Sequence, residues 1–159
     1  KKHNLKVMAG SVIFLREQGI KSVAQLDVLI QEGADKRQEL QEKIKLIDDK
    51  STQLSSVMEH AHTVKRFKEI YKYHKDNSDD KQFEDEYSRE ISLYKVAATE
   101  LLKTYKTLPD TKEILAELDI LQEKKNTLMK EYSDSKTNMD DLFTIRKNFE
   151  QYMGKEMER

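Results

Sequence analysis

Cysteine and tryptophan are missing from this 159-residue chain, and it holds only one proline and four glycines. Without cysteine there is no disulfide scaffold, thiolate zinc finger, iron–sulfur cluster or thiol nucleophile. So few turn-forming residues argue against an all-β fold, whose strands need frequent reversals. Hydrophobic residues make up 36% of the chain and mean hydropathy is -0.86. No run approaches the roughly 18 apolar residues of a membrane span, so no membrane insertion is expected. What is abundant is charge of both signs, at 37%. Dense alternating charge with few helix breakers reads as long helices. The apolar residues also fall in register, which a disordered chain does not require. At 18.8 kDa the length fits one domain of ordinary size.

Basic and acidic residues nearly balance, 29 against 30. They are unevenly spread: residues 1–75 hold 15 basic and 10 acidic side chains, net +5, and residues 76–159 hold 14 and 20, net -6. Two halves of opposite sign suit packing against each other at least as well as an external partner. The apolar stretch from Val7 to Leu15 is short and no cleavage pattern follows it, so no signal peptide is read and the cytoplasm is the expected compartment. A chain that opens on Lys1 rather than Met is expected to be a piece of a longer protein.

Leu5, Met8, Val12 and Leu15 recur at steps of three and four, which predicts a first helix over Asn4 to Gln18. Gly19 is the expected left-handed stop, with Ile20 packing back on the helix. Ser22 is an N-cap for a second helix, whose apolar stripe begins Val23, Leu26, and Leu29 or Ile30. Gly33 interrupts that stripe at about 1 kcal/mol relative to Ala and marks a candidate kink. Beyond it the spacing becomes heptad-like through Leu40, Ile44, Ile47, Ser51, Leu54, Met58 and Ala61, continuing with Val64, Phe67 or Lys68, and Tyr71. Unbroken from 22 to 75, this helix would run roughly 80 Å. A helix of that length is stable only by burying one face.

Asp76 to Asp80 is five polar turn-formers in a row and is the clearest loop. A third helical region follows to about Tyr105. Phe83, Tyr87, Ile91, Tyr94, Ala97 or Ala98, Leu101 and Tyr105 share one face, and Ser88 offers a cap midway. Pro109 sets the next boundary, Asp110 and Glu113 form an N-terminal capping pair, and Leu108 is placed to staple against Ile114. The fourth helix, 111–153, would span roughly 65 Å. Its apolar seam is Ile114, Leu118, Leu121, Leu128, Tyr132, Met139, Leu142, Ile145, Phe149 and Met153, with Lys125 and Ser135 as imperfections.

Two long heptad helices separated by a shorter helical region predict an all-α fold, an elongated antiparallel coiled-coil-like helical bundle. Residues 1–20 are expected to form a short N-terminal helix leading from an upstream domain. Residues 21–159 form the long hairpin, with the intervening helical region at about 80–106. Antiparallel pairing puts 54–71 near the start of the fourth helix and 23–40 near its end.

No catalytic, cofactor-binding or metal site is expected. His60-Ala61-His62 has the His–hydrophobic–His order of metal-dependent DNA-nicking enzymes, which need it on a strand. On a helix, neighbours two apart diverge by roughly 200° and do not share a metal, so two unrelated histidines is the simpler reading. The seven tyrosines lack a base or metal that would activate a phenol, and Tyr87, Tyr94, Tyr105 and Tyr132 fit apolar seams instead. Phosphate-binding glycine loops, Walker motifs, Ser/His/Asp arrangements and a complete EF-hand loop do not occur in the sequence. One stretch stands out. Val64 to Lys75 carries Lys65, Arg66, Lys68, Lys72 and Lys75 against Glu69 alone, with Phe67, Tyr71 and Tyr73 interleaved. Cations grip phosphates and rings stack on bases, so Lys65, Arg66, Phe67, Lys68, Tyr71, Lys72 and Lys75 are the candidate nucleic-acid-binding residues. The bland alternative is a solvated helix face neutralised by the acidic residues 76–80 and 84–86.

From Phe67 onward the residues resemble the C-terminal helical region of bacterial conjugative and mobilisation relaxases, the strand transferases that nick and carry plasmid or integrative-element DNA. The resembling pieces are Phe67 to Lys72, Phe83 through Leu93 to Ala98, Leu108-Pro109, and Leu121 to Lys125 leading to Glu131-Tyr132 and Met139 to Leu142. Asn4 to Ile20 is similar to the segment that leads out of the relaxase body. The family's nucleophilic tyrosine and histidine metal site belong to an N-terminal nuclease domain, and nothing in this chain matches them. The resemblance therefore implies a non-catalytic accessory domain of a DNA mobilisation protein. Its implied partners are other relaxosome or secretion-channel proteins, with DNA as a further one. Two other readings stand beside it: a generic coiled-coil dimerisation or adaptor module forming a homodimer, and direct DNA binding through residues 65–75.

Overall fold

The computed structural model describes residues 2–151 and 154, with side chains from Gly10 onward. Its described residues form five helices: α1 (Lys2–Glu17), α2 (Val23–Asp76), α3 (Lys81–Glu86), α4 (Ser88–Leu102) and α5 (Thr111–Lys147). Among the described residues there is no strand, so the fold is all-α. The chain divides into two compact units, one of Lys1–Ile44 with Asn126–Arg159 and the other of Lys45–Lys125.

In the first unit, α1 stops where the sequence says it must. Gly19 has φ +64°. The Gly19 N–H donates to the Arg16 carbonyl and the Ile20 N–H to the Leu15 carbonyl, which is the paired closure of a Schellman cap. Ile20 then buries beside Leu15. Ser22 caps α2 by accepting from the Gln25 N–H, and the Gln25 side chain accepts in return from the Lys21 N–H. Leu15, Ile20, Leu26, Ile145 and Phe149 form the core of this unit. Leu29 and Ile30 pack against that core, whereas Val23 lies exposed. Leu5, Met8 and Met153 lie outside the described side chains.

Gly33 neither breaks nor ends α2, which runs through it. The glycine is there for approach: a Cβ at residue 33 would lie 2.5 Å from the Sδ of Met139 on α5. Antiparallel pairing of α2 and α5 within this unit is fixed by three further contacts. Arg146 pairs with Asp27, and the Tyr132 hydroxyl accepts from Arg37 at 3.0 Å and from Gln41 at 2.8 Å. The Arg37 guanidinium also sits 4.8 Å from the Tyr132 ring centroid. The first part of α2 thus lies beside the end of α5, as expected.

The second unit departs from expectation in one respect. The start of α5 lies beside residues 48–54, through Lys125–Asp48 at 2.6 Å and Lys50–Glu117 at 2.9 Å. Residues 57–71 of α2 are covered by α4 instead. Ala61 and Val64 bury against Ala97 and Leu101, with Val57, Tyr94, Ala98 and Tyr105 around them. Ala61 and Ala97 are both buried in this contact, and Tyr71 stacks on Tyr94 with ring centroids 4.2 Å apart. Lys125 is tolerated on the seam because its ammonium reaches Asp48.

Boundaries shift modestly. α4 ends at Leu102 rather than Tyr105, and a turn at Asn148 closes α5, with residues 149–151 helical beyond it. The break between α3 and α4 is at Tyr87, which makes no side-chain cap bond, so Ser88 opens α4 and does not cap it. Asp110 accepts from the Lys112 N–H, but Leu108 is exposed and makes no staple.

Candidate functional site

The 65–75 stretch lies on α2 in the second unit and begins directly after the buried Val64. Packing against α4 decides which of its side chains point where. Tyr71 is half-buried in its stack with Tyr94, and Phe67 is half-buried under the Arg66 guanidinium, 5.2 Å from its centroid. Those rings are the packing side of the helix. Lys65, Lys68, Lys72 and Lys75 are all exposed. Their spacing of three, four and three places them within an arc of about 80° on an ideal helix, over a rise of roughly 15 Å. The structure therefore gathers the four lysines into one stripe and sets the rings and Arg66 apart from it.

The expected neutralisation by the acidic turn does not occur as ion pairs. Among the described residues, none of the four lysines is in a salt bridge. Two of the nearby acids, Asp80 and Glu84, are occupied elsewhere. Asp80 caps α3 with one oxygen, accepting from the Phe83 N–H, and accepts the Tyr73 hydroxyl with the other at 2.9 Å. That hydrogen bond, together with the negative charge of Asp80, holds the Tyr73 phenol above its ordinary pKa. Tyr73 in turn packs on Phe83, and Phe83 on Tyr87. Glu84 bonds Lys81, which draws its carboxyl below the usual range. Asp80 and Glu84 are thus tied within the turn and to Tyr73, and the four lysines of the stripe make no ion pair among the described residues.

On the other flank of the α2–α4 contact is a cleft of about 360 Å³. Arg66 reaches it from α2 and Arg89 from α4, with His62, Thr63 and Glu90 beside them. Neither arginine forms a salt bridge among the described residues. Arg89 carried no signal in the sequence: it is 23 positions from Arg66, and only the fold brings them to one cavity. His60 and His62 part as a helix requires. His60 is half-buried with Ser56 Oγ 3.5 Å from its Nε2, whereas His62 is exposed at the cleft. Among the described residues no group of three metal-ligating side chains forms, and no helix is long and apolar enough to cross a membrane.

In comparison with known proteins, no family model, no curated protein and no solved structure matches this chain.

Proposed function

We propose that this chain is a non-catalytic helical accessory module of a relaxase-like DNA mobilisation protein. In this reading the stripe of Lys65, Lys68, Lys72 and Lys75 holds DNA by its phosphates. Other helical surfaces engage relaxosome or secretion-channel proteins in the cytoplasm. The observation that carries it is the stripe itself: four exposed lysines in helical phase with no salt bridge among the described residues. Free lysines cost little to present to a polyanion, because no ion pair has to be broken first. Phosphate contact without base contact suits a protein that handles DNA of any sequence. The resemblance after Phe67 supplies the parent class.

Fluorescence anisotropy on a DNA duplex across a salt series tests the reading. Each phosphate contact contributes about 0.9 to the slope of log affinity against log salt, so changing all four lysines to Ala should flatten it by about 3 to 4. An unmodified chain that binds no DNA, or a slope unaltered by the four changes, refutes it.

A second reading, a homodimerising adaptor, has its own observation. Leu115, Met129 and Phe143 are exposed large hydrophobics on α5, and their spacings of 14 keep one heptad position.

A further inference from the structure

A separate surface in the second unit has the makings of a discrete anion site. The cleft between α2 and α4 brings Arg66 and Arg89 to one cavity of about 360 Å³, room enough for a phosphate group with an attached substituent. Two guanidiniums without salt-bridge partners among the described residues present planar forks of donors suited to paired phosphate oxygens. His62 adds a ring nitrogen, whereas the Thr63 hydroxyl, also at the cleft, donates its proton to the Glu59 carbonyl at 3.0 Å. Phe67 and Leu93 supply an apolar portion of the lining. Arg66 is steadied over the Phe67 ring, so less side-chain freedom is lost when it binds.

A solvated pair of like charges would be the ordinary outcome of two exposed arginines. Here the cleft contains its own electrostatic counterweight. Glu90 lines it yet forms no ion pair with either arginine. A carboxylate in that position repels an entering anion while the arginines attract it. Removing its charge is therefore a sensitive probe of whether an anion enters at all.

We propose that Arg66 and Arg89, assisted by His62, form a binding site for a phosphate dianion. The dianion is the shared chemistry of a nucleic-acid 5′ end and of free phosphate. This site does not depend on the lysine stripe, which lies on the opposite flank of the α2–α4 contact.

Titrating the whole chain with inorganic phosphate, followed by amide NMR shifts, tests this directly. Saturable shifts centred on residues 62–67 and 89–93 are expected. Arg66→Ala and Arg89→Ala should each weaken binding at least about tenfold, the loss of a charge-assisted contact. Arg66→Lys should bind more weakly than the parent because it loses the planar fork. Glu90→Gln should bind more tightly, an effect that misfolding cannot imitate. The four-lysine variant should bind inorganic phosphate unchanged, so failure of the DNA reading leaves this result intact. Oligonucleotides distinguish the sources. Tighter binding of a 5′-phosphorylated strand than of its 5′-hydroxyl counterpart identifies a nucleic-acid end, and no difference between them identifies free phosphate. No saturable shift, or binding undiminished when both arginines are replaced, overturns the proposal.

Discussion

The contact between Gly33 and Met139 allows a calculation with a definite sign. Substituting Ala at residue 33 relieves the helix of an interior glycine, a gain of about 1 kcal/mol. The new methyl, however, would sit 2.5 Å from the Met139 sulfur, whereas non-bonded carbon contacts settle at about 3.5–4.0 Å. The thioether must move by roughly 1 Å, and Met139 is only 5% exposed, so it moves into other side chains. Overpacking of that kind costs about 1–3 kcal/mol. Methionine's flexibility puts the cost toward the lower end. The single variant should therefore be between neutral and about 2 kcal/mol less stable. Met139→Ala alone should cost about 2–5 kcal/mol through the cavity it leaves. With the sulfur gone, the methyl added at residue 33 enters vacated space and the propensity gain is realised in full. Placing Gly33→Ala on the Met139→Ala background should thus stabilise by about 1 kcal/mol. The difference between the two backgrounds is a coupling of about 1–3 kcal/mol. Urea denaturation followed by circular dichroism measures all four proteins, provided the denaturant slopes agree. If Gly33→Ala stabilises equally in both backgrounds, within about 0.5 kcal/mol, close approach is not why residue 33 is glycine.

Two more predictions concern the turn and the assembly state. Asp80→Asn should keep the α3 cap while removing the negative charge beside Tyr73. In the folded protein the Tyr73 phenol is held above its ordinary pKa, first by its hydrogen bond to Asp80 and then by that charge. Its contribution to stability is therefore complete below the unfolded tyrosine value and is lost as pH rises through the folded one. Ultraviolet titration should show one tyrosine ionising at lower pH in Asp80→Asn than in the parent; an unchanged curve would deny the interaction. Asp80→Ala should in addition lose about 1 kcal/mol of helix capping, read by thermal unfolding below about pH 9, where tyrosines are neutral. If the exposed heptad residues of α5 pair two copies, sedimentation equilibrium should reveal a concentration-dependent dimer that Leu115→Lys with Met129→Lys abolishes; a monomer at every concentration rules out that adaptor reading.

Fold class, helix order and most of the seam were legible in the sequence because they rest on local signals. Gly19 had to end α1, since only a left-handed residue closes that cap, and the 76–80 turn had no apolar residue to hold it in a helix. Gly33 shows where local reasoning stops. Propensity sees its intrinsic cost, but the benefit lies in a methionine 106 positions away. The same holds for Arg66 and Arg89. The break at Tyr87 is also non-local in part: its ring packs on Phe83, which itself packs on Tyr73 across the turn.

The ambiguity between Phe67 and Lys68 on the predicted seam explains why the lysines are free. Strict heptad counting from Ala61 lands on Lys68 and then Lys75, which would bury two charges. The packed positions instead run Ala61, Val64, Phe67, Tyr71 and His74, and the extra step of three at Phe67 shifts the contact line off the heptad. Because α4 is only 15 residues long, it does not enforce the heptad, and the contact line rolls around α2. That rotation turns the aromatic residues inward and the heptad lysines out to join Lys65 and Lys72. The stripe is thus a consequence of how the second unit packs. A change that restored the heptad, such as Lys68→Leu with Phe67→Lys, would compete for the same face and disperse the cations at the point where the proposed DNA contact needs them together.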